Sequence, residues 1–98
     1  MIDKASILSR LRSSKSEITD FGITHIGLFG SYIRGEESEQ SDIDILVVFE
    51  PEKESFDNFM AAYDYFENLF EGKRIEMVTK NSLSPYIGPF ILKEVEYA

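Results

Sequence analysis

Residues 42–49 read Asp-Ile-Asp-Ile-Leu-Val-Val-Phe, a β-prone run with two carboxylates at its start. Successive side chains of a strand project to opposite faces. Asp42 and Asp44 therefore share a face, which Leu46 and Val48 continue inward, while Ile43, Ile45, Val47 and Phe49 share the other. Two carboxylates thus project together from the start of an otherwise buried strand. Like charges side by side repel unless a shared proton or a bound cation neutralises them. Hard oxygen ligands at this spacing suit Mg²⁺, which keeps several waters and binds through one or two carboxylates plus substrate phosphates.

Upstream, Ile23–Phe29 is mostly apolar and predicts a first strand. Gly30 breaks it, Ser31 opens a short helix to about Glu36, and residues 37–41 form a polar loop. Glycine lets backbone come close to a ligand. A helix beginning at Ser31 would point free N–H groups at an anion. One end of the sheet is thus expected to offer a phosphate cradle and a metal clamp together, a combination that points to phosphoryl or nucleotidyl transfer from a nucleoside triphosphate. Arg34 lies one helical turn beyond the cradle, where it could donate to a phosphate or pair with Glu36 or Glu37. The sequence leaves both open.

Gly30-Ser31, ten residues, then Asp42-x-Asp44 resembles the signature of the polymerase-beta-like nucleotidyltransferases. The longer string Gly-Ser-Tyr-Ile-Arg-Gly-Glu…Ser-Asp-Ile-Asp-Ile-Leu-Val is similar to the minimal nucleotidyltransferases, the MntA-type antitoxins of bacteria and archaea. The resemblance extends through Leu83-Ser84-Pro85-Tyr86 and Ile91-Leu92-Lys93-Glu94-Val95. It implies the polymerase-beta-like nucleotidyltransferase fold, ATP as donor, and a third acidic residue on the strand after the central helix.

That third position falls at Glu76. Residues 74–79 alternate, with Ile75, Met77 and Thr79 on one face and Arg74, Glu76 and Val78 on the other. A carboxylate inside an apolar strand needs a reason: an ion pair with Arg74 or Lys73, an edge position, or a third metal ligand facing Asp42 and Asp44. The resemblance favours the last. The family more often carries aspartate here, and the extra methylene of glutamate puts turnover in question more than metal binding.

The remaining segments predict helices packed mainly on one face of a small mixed sheet, an α/β (α+β) domain spanning residues 1–98. Residues 3–12 form a helix with Asp3 as N-cap and Ile7, Leu8 and Leu11 at helical spacing. Ser14-Lys15-Ser16-Glu17 matches a capping box that would restart a helix through about Asp20, ended by Phe21-Gly22. A helix from Ser55 to about Glu71 carries Phe56, Phe59, Met60, Tyr63, Phe66 and Phe70 in one stripe, expected to pack on the sheet before Gly72 stops it. This crossover would lay the third strand beside the second, and the first two strands are expected to be antiparallel. Ser84-Pro85 should start a further helical piece, and Pro89 a final helix over 90–96 with Ile91, Leu92 and Val95 inward. His25 reads as a surface or satisfied core residue without a role, and the basic group Arg10, Arg12 and Lys15 as a solvated helix face.

Composition narrows the function. A net charge of −8 argues against a large nucleic-acid interface and fits a basic partner, though solubility explains it equally. Thirteen aromatic residues in 98 serve a core first, with a share available to a partner surface. No cysteine is present for disulfides or thiolate metal sites. No apolar run approaches the roughly 18–20 residues that span a membrane, and no signal-peptide pattern opens the chain, so a cytoplasmic location is the expectation.

In the mechanism implied, Asp42, Asp44 and Glu76 hold two Mg²⁺ with ATP, and Gly30, Ser31 and Arg34 hold its phosphates. A catalytic fold this small leaves little room for an acceptor-binding domain, so the expected acceptor is another protein. The resemblance makes it a HEPN-domain toxin, modified with AMP on a tyrosine, with homo- or hetero-oligomers open. Two other readings compete. One is an antitoxin that neutralises by binding alone; the other is a small-molecule, antibiotic-type nucleotidyltransferase.

Overall fold

The computed structural model describes residues 2–98. Four strands form one mixed sheet: β1 (Ile23–Phe29), β2 (Ile43–Phe49), β3 (Ile75–Thr79) and β4 (Glu96–Tyr97), in the order β3-β2-β1-β4. β1 is antiparallel to β2 and to β4, and β2 is parallel to β3. The helices are α1 (Lys4–Ser13), α2 (Lys15–Thr19), α3 (Ser31–Arg34), α4 (Phe56–Leu69) and α5 (Gly88–Glu94). α4 is the crossover between the parallel strands, and a parallel pair requires such a connection. Fold class and strand directions match the sequence expectation.

The alternation of β2 sorts the protein into two layers. Ile43, Ile45, Val47 and Phe49 enter the main core with Ile26 and Leu28 of β1, Ile75 and Met77 of β3, Ile7, Leu8 and Leu11 of α1, and Ala62, Phe66 and Phe70 at α4 and its end. The opposite face carries a smaller cluster, Phe29, Leu46 and Ile91, with Val78, Leu83 and Val95 against it. The second cluster is the floor beside the candidate site. Gly27 allows it to close: a Cβ there would lie 2.6 Å from Val95 Cγ2.

Caps follow the sequence in part. Asp3 accepts from the Ser6 N–H at 2.8 Å, and Ser55 Oγ from the Asn58 N–H at 3.1 Å. The capping box at Ser14 does not form. Ser14 keeps near-helical backbone (φ −92°, ψ 0°), and its hydroxyl donates to the Arg10 carbonyl at 2.8 Å while accepting from Tyr65 Oη at 2.9 Å. A cap needs extended backbone to aim its oxygen at the first turn, so α1 bends directly into α2.

Four further expectations are corrected. Residues 85–87 are a turn in which the Ile87 N–H donates to Ser84 Oγ at 3.1 Å, and helix begins only at Gly88. The last helix stops at Glu94, and Glu96–Tyr97 pair with Gly27 and Leu28 as β4. Leu92 is exposed, because α5 packs through Ile91. On α4, Phe66 and Phe70 are buried and Phe59 and Tyr63 half-buried, but Phe56 (68% exposed) and Met60 (38%) point to solvent. The start of the stripe therefore lies outside the core.

Candidate active site

β2 and β3 run parallel with Asp44 opposite Glu76, so both carboxylates leave the same face of neighbouring strands. The Glu76 carboxyl lies within hydrogen-bonding reach of Asp44. Burial pushes the Asp44 carboxyl up to about 7, and the hydrogen bond and charge of Glu76, then the charge of Asp42, add to the rise against an opposing pull from Arg34. Near neutral pH the Asp44 carboxyl is therefore poised to take up or release a proton, as expected of a half-buried acid beside other carboxylates.

Gly30 closes over this pair. Its backbone sits at φ +81°, ψ −150°, a region open essentially to glycine alone. A Cβ on Gly30 would land on the Asp44 carboxylate. The strand-to-helix turn is thus pressed against the acid by the absence of a side chain. Arg34 ends α3 and is held on two sides: its Nε donates to Glu36 at 2.9 Å, and its Nη1 to both carboxylate oxygens of Glu94 at 3.1 Å. These pairs raise its pKa further, so it stays cationic.

Gly30, Arg34, Asp44, Glu76 and Glu94 meet around a single cavity of about 520 Å³, whose apolar wall comes from Val78, Leu83, Ile87 and Phe90. This is a concave, mostly apolar pocket with a few convergent polar groups, the usual form of a small-molecule site. Of the six residues the sequence picks out, four line it. Ser31 opens α3 half-buried, outside the lining. Asp42 precedes β2 and lines a neighbouring hollow with Glu39, Lys73 and Arg74. Its Oδ1 accepts from Arg74 Nε at 2.9 Å. Glu76 makes no ion pair among the described residues, because Arg74 is engaged by Asp42 and Lys73 Nζ donates to the Glu39 carbonyl at 3.0 Å.

The placing of Asp44 and Glu76 side by side in one cavity is the observation that bears on a cation. Adjacent hard carboxylate oxygens are a donor set suited to Mg²⁺. No cluster of three acidic, histidine or cysteine side chains stands ready among the described residues. Asp42 would join the other two only on leaving Arg74.

Sequence reasoning missed Glu94 and the wall formed by Leu83, Ile87 and Phe90. One signal was available for Glu94: a glutamate in the last turn of a helix opposes the helix dipole and needs a cationic partner or donor.

Comparison with known proteins follows the same outline. The profile of the nucleotidyltransferase domain family matches residues 8–98. Protein adenylyltransferase MntA of Thermococcus cleftensis is 44% identical over 98 residues, covering 99% of this chain and 97% of that protein. A solved structure described as a minimal nucleotidyltransferase superposes with a TM-score of 0.81 at 28% identity, covering 97% of this chain and 95% of the other. A chain from a toxin–antitoxin crystal structure with AMP-PNP superposes with a TM-score of 0.67 at 20% identity, covering 98% of this chain and 72% of that one, a likeness of fold.

Proposed function

Since the chain belongs to the nucleotidyltransferase family, we propose that it transfers AMP from ATP to a tyrosine hydroxyl of a partner toxin of the HEPN class, acting as an Mg²⁺-dependent antitoxin. The observation that carries this reading is the register of Asp44 with Glu76 beneath Gly30, in a cavity that joins these acids and one guanidinium to an apolar wall. The name of the Thermococcus relative supports a protein acceptor, and the toxin–antitoxin structure with AMP-PNP supports a toxin and an adenine nucleotide.

Each residue has a role in this reading. The Gly30 N–H and the Arg34 guanidinium bind phosphate oxygens. Val78, Leu83, Ile87 and Phe90 offer an apolar face to an aromatic ring. Asp44 and Glu76, with Asp42, would hold Mg²⁺, which when bound neutralises phosphate charge and lowers the pKa of the acceptor hydroxyl. The same carboxylates orient the acceptor in line with the α-phosphorus. The acceptor hydroxyl gives its proton to a site carboxylate or to water, its oxygen bonds to the α-phosphorus, the bond to the bridging oxygen breaks, and pyrophosphate leaves. The cytoplasm, where ATP and a toxin would both be met, is the location this function requires.

The test uses α-labelled ATP and Mg²⁺ with the purified protein in lysate of its own host, beside an Asp44→Asn control. Label on one discrete protein band, absent in the control, is the expected result. Label on RNA or a small molecule rejects the protein acceptor, and label that survives Asp44→Asn rejects the site.

A further inference from the structure

We propose that Glu94 is an internal anion that occupies the phosphate-binding groups of the free protein and must be displaced by an incoming triphosphate. The inference rests on the nucleotidyltransferase reading of the site. Glu94 Oε2 accepts from the Gly30 N–H at 2.6 Å, and both carboxylate oxygens lie 3.1 Å from Arg34 Nη1. These two donors come from positions 60 and 64 residues away in the chain, so the contact is tertiary. The carboxylate is 23% exposed, at the edge of the cavity that also holds Asp44 and Glu76.

The exclusion is stoichiometric. The Gly30 amide has a single proton, and its in-line position is filled by Glu94 Oε2, so a phosphate oxygen can take that proton only when Glu94 leaves. The guanidinium adds to this: the Arg34 nitrogens facing the site are divided between Glu94 and Glu36. A triphosphate would also meet three carboxylates, those of Asp44, Glu76 and Glu94, against one guanidinium. Departure of Glu94 relieves both obstacles at once. Its movement also reaches the cavity wall, because Glu94 closes the helix that supplies Phe90 and Ile91 to it.

The experiment is calorimetric titration with inorganic tripolyphosphate, and then ATP, in EDTA. It compares wild type, Glu94→Gln, Glu36→Gln and the double variant Glu94→Gln/Arg34→Ala. Glutamine keeps the length and a carbonyl acceptor but removes the charge. Glu94→Gln is expected to bind tripolyphosphate at least about tenfold more tightly, about 1.4 kcal/mol. The double variant should lose that gain. Glu36→Gln, which removes equal charge from Arg34 while Gly30 stays occupied, should gain less than about threefold. An equal or weaker Kd for Glu94→Gln overturns the proposal, as does an equal gain from Glu36→Gln.

Should Glu94→Gln fail to fold, the wild-type Gly30 amide resonance supplies the answer. It is expected to shift on adding tripolyphosphate, and an unmoved resonance with other site residues responding overturns the proposal. Glu94→Gln gaining affinity in a protein that transfers no nucleotide would sink the transferase reading alone. Nucleotide transfer by wild type with no gain in the variant would sink this inference alone.

Discussion

Asp44 and Glu76 are register partners across the parallel pair β2–β3, and both line the same cavity beneath Gly30. The folded Asp44 carboxyl, at about 7, lies above its ordinary 3.8. Below about pH 4 folded and unfolded chains both keep the proton, and the group costs nothing. From there to about pH 7 the unfolded chain ionises while the folded chain does not, so stability falls as pH rises. Asp44→Asn should therefore melt higher than wild type at pH 8 by ~1–2 kcal/mol, less than the full shift implies because solvent reaches Glu76. The two melting curves should converge by about pH 4. A gain that persists at pH 4 would mean packing, not ionisation, is responsible.

Gly30→Ala meets two penalties at one atom. The new Cβ must occupy the Asp44 carboxylate position and hold a backbone region that side chains avoid. Strain of this kind costs about 1–3 kcal/mol, and relief requires the turn to lift off Asp44. The variant should stay folded at 25 °C with a lowered Tm, and ATP binding and transfer should drop by at least about 100-fold, in line with a displacement at reacting groups. Near-normal transfer would show that the turn is not part of the site.

The parts of the site written in one continuous stretch could be read from the sequence. Strand alternation put Asp44 on the face opposite Ile43 and Ile45, and Gly30 had to be a turn after an apolar strand. What escaped depends on distant segments meeting. Glu94 reaches Gly30 from 64 residues away, and no local pattern records that. β4 is two residues long and exists only because Gly27 leaves room for the chain to return. Asp42 shares a periodic face with Asp44, yet its place is set by Arg74, an ion pair that periodicity does not see. In β1, a register shift between Ile23 and His25 lets Ile23, Ile26 and Leu28 all reach the main core, which strict alternation would forbid.

The stripe on α4 divides into a half that holds the fold and a half that does not. Phe66 is fully buried among residues of the main core, whereas Phe56 is 68% exposed. Phe66→Ala should cost about 3–5 kcal/mol through lost contacts and a cavity. Phe56→Ala should change stability by less than about 0.5 kcal/mol. Denaturant melts of the two variants decide this, and a large loss at Phe56 would mean that a second copy or a partner covers it.

Arg74 offers a test of how Asp42 joins the site. The guanidinium is 84% exposed and the Asp42 carboxylate 30%. A pair that open to water contributes about 0–1 kcal/mol, so Arg74→Ala should leave the Tm nearly unchanged. Removing it frees Asp42 to turn toward Asp44 and Glu76 and adds negative charge beside them. Mg²⁺ should then bind about two- to fivefold more tightly in the variant, the gain expected from losing one screened ion pair. Titration at pH 8, above the Asp44 carboxyl at about 7, separates this from the ionisation of Asp44. Weaker Mg²⁺ binding in Arg74→Ala would mean instead that Arg74 holds Asp42 in the position from which it acts.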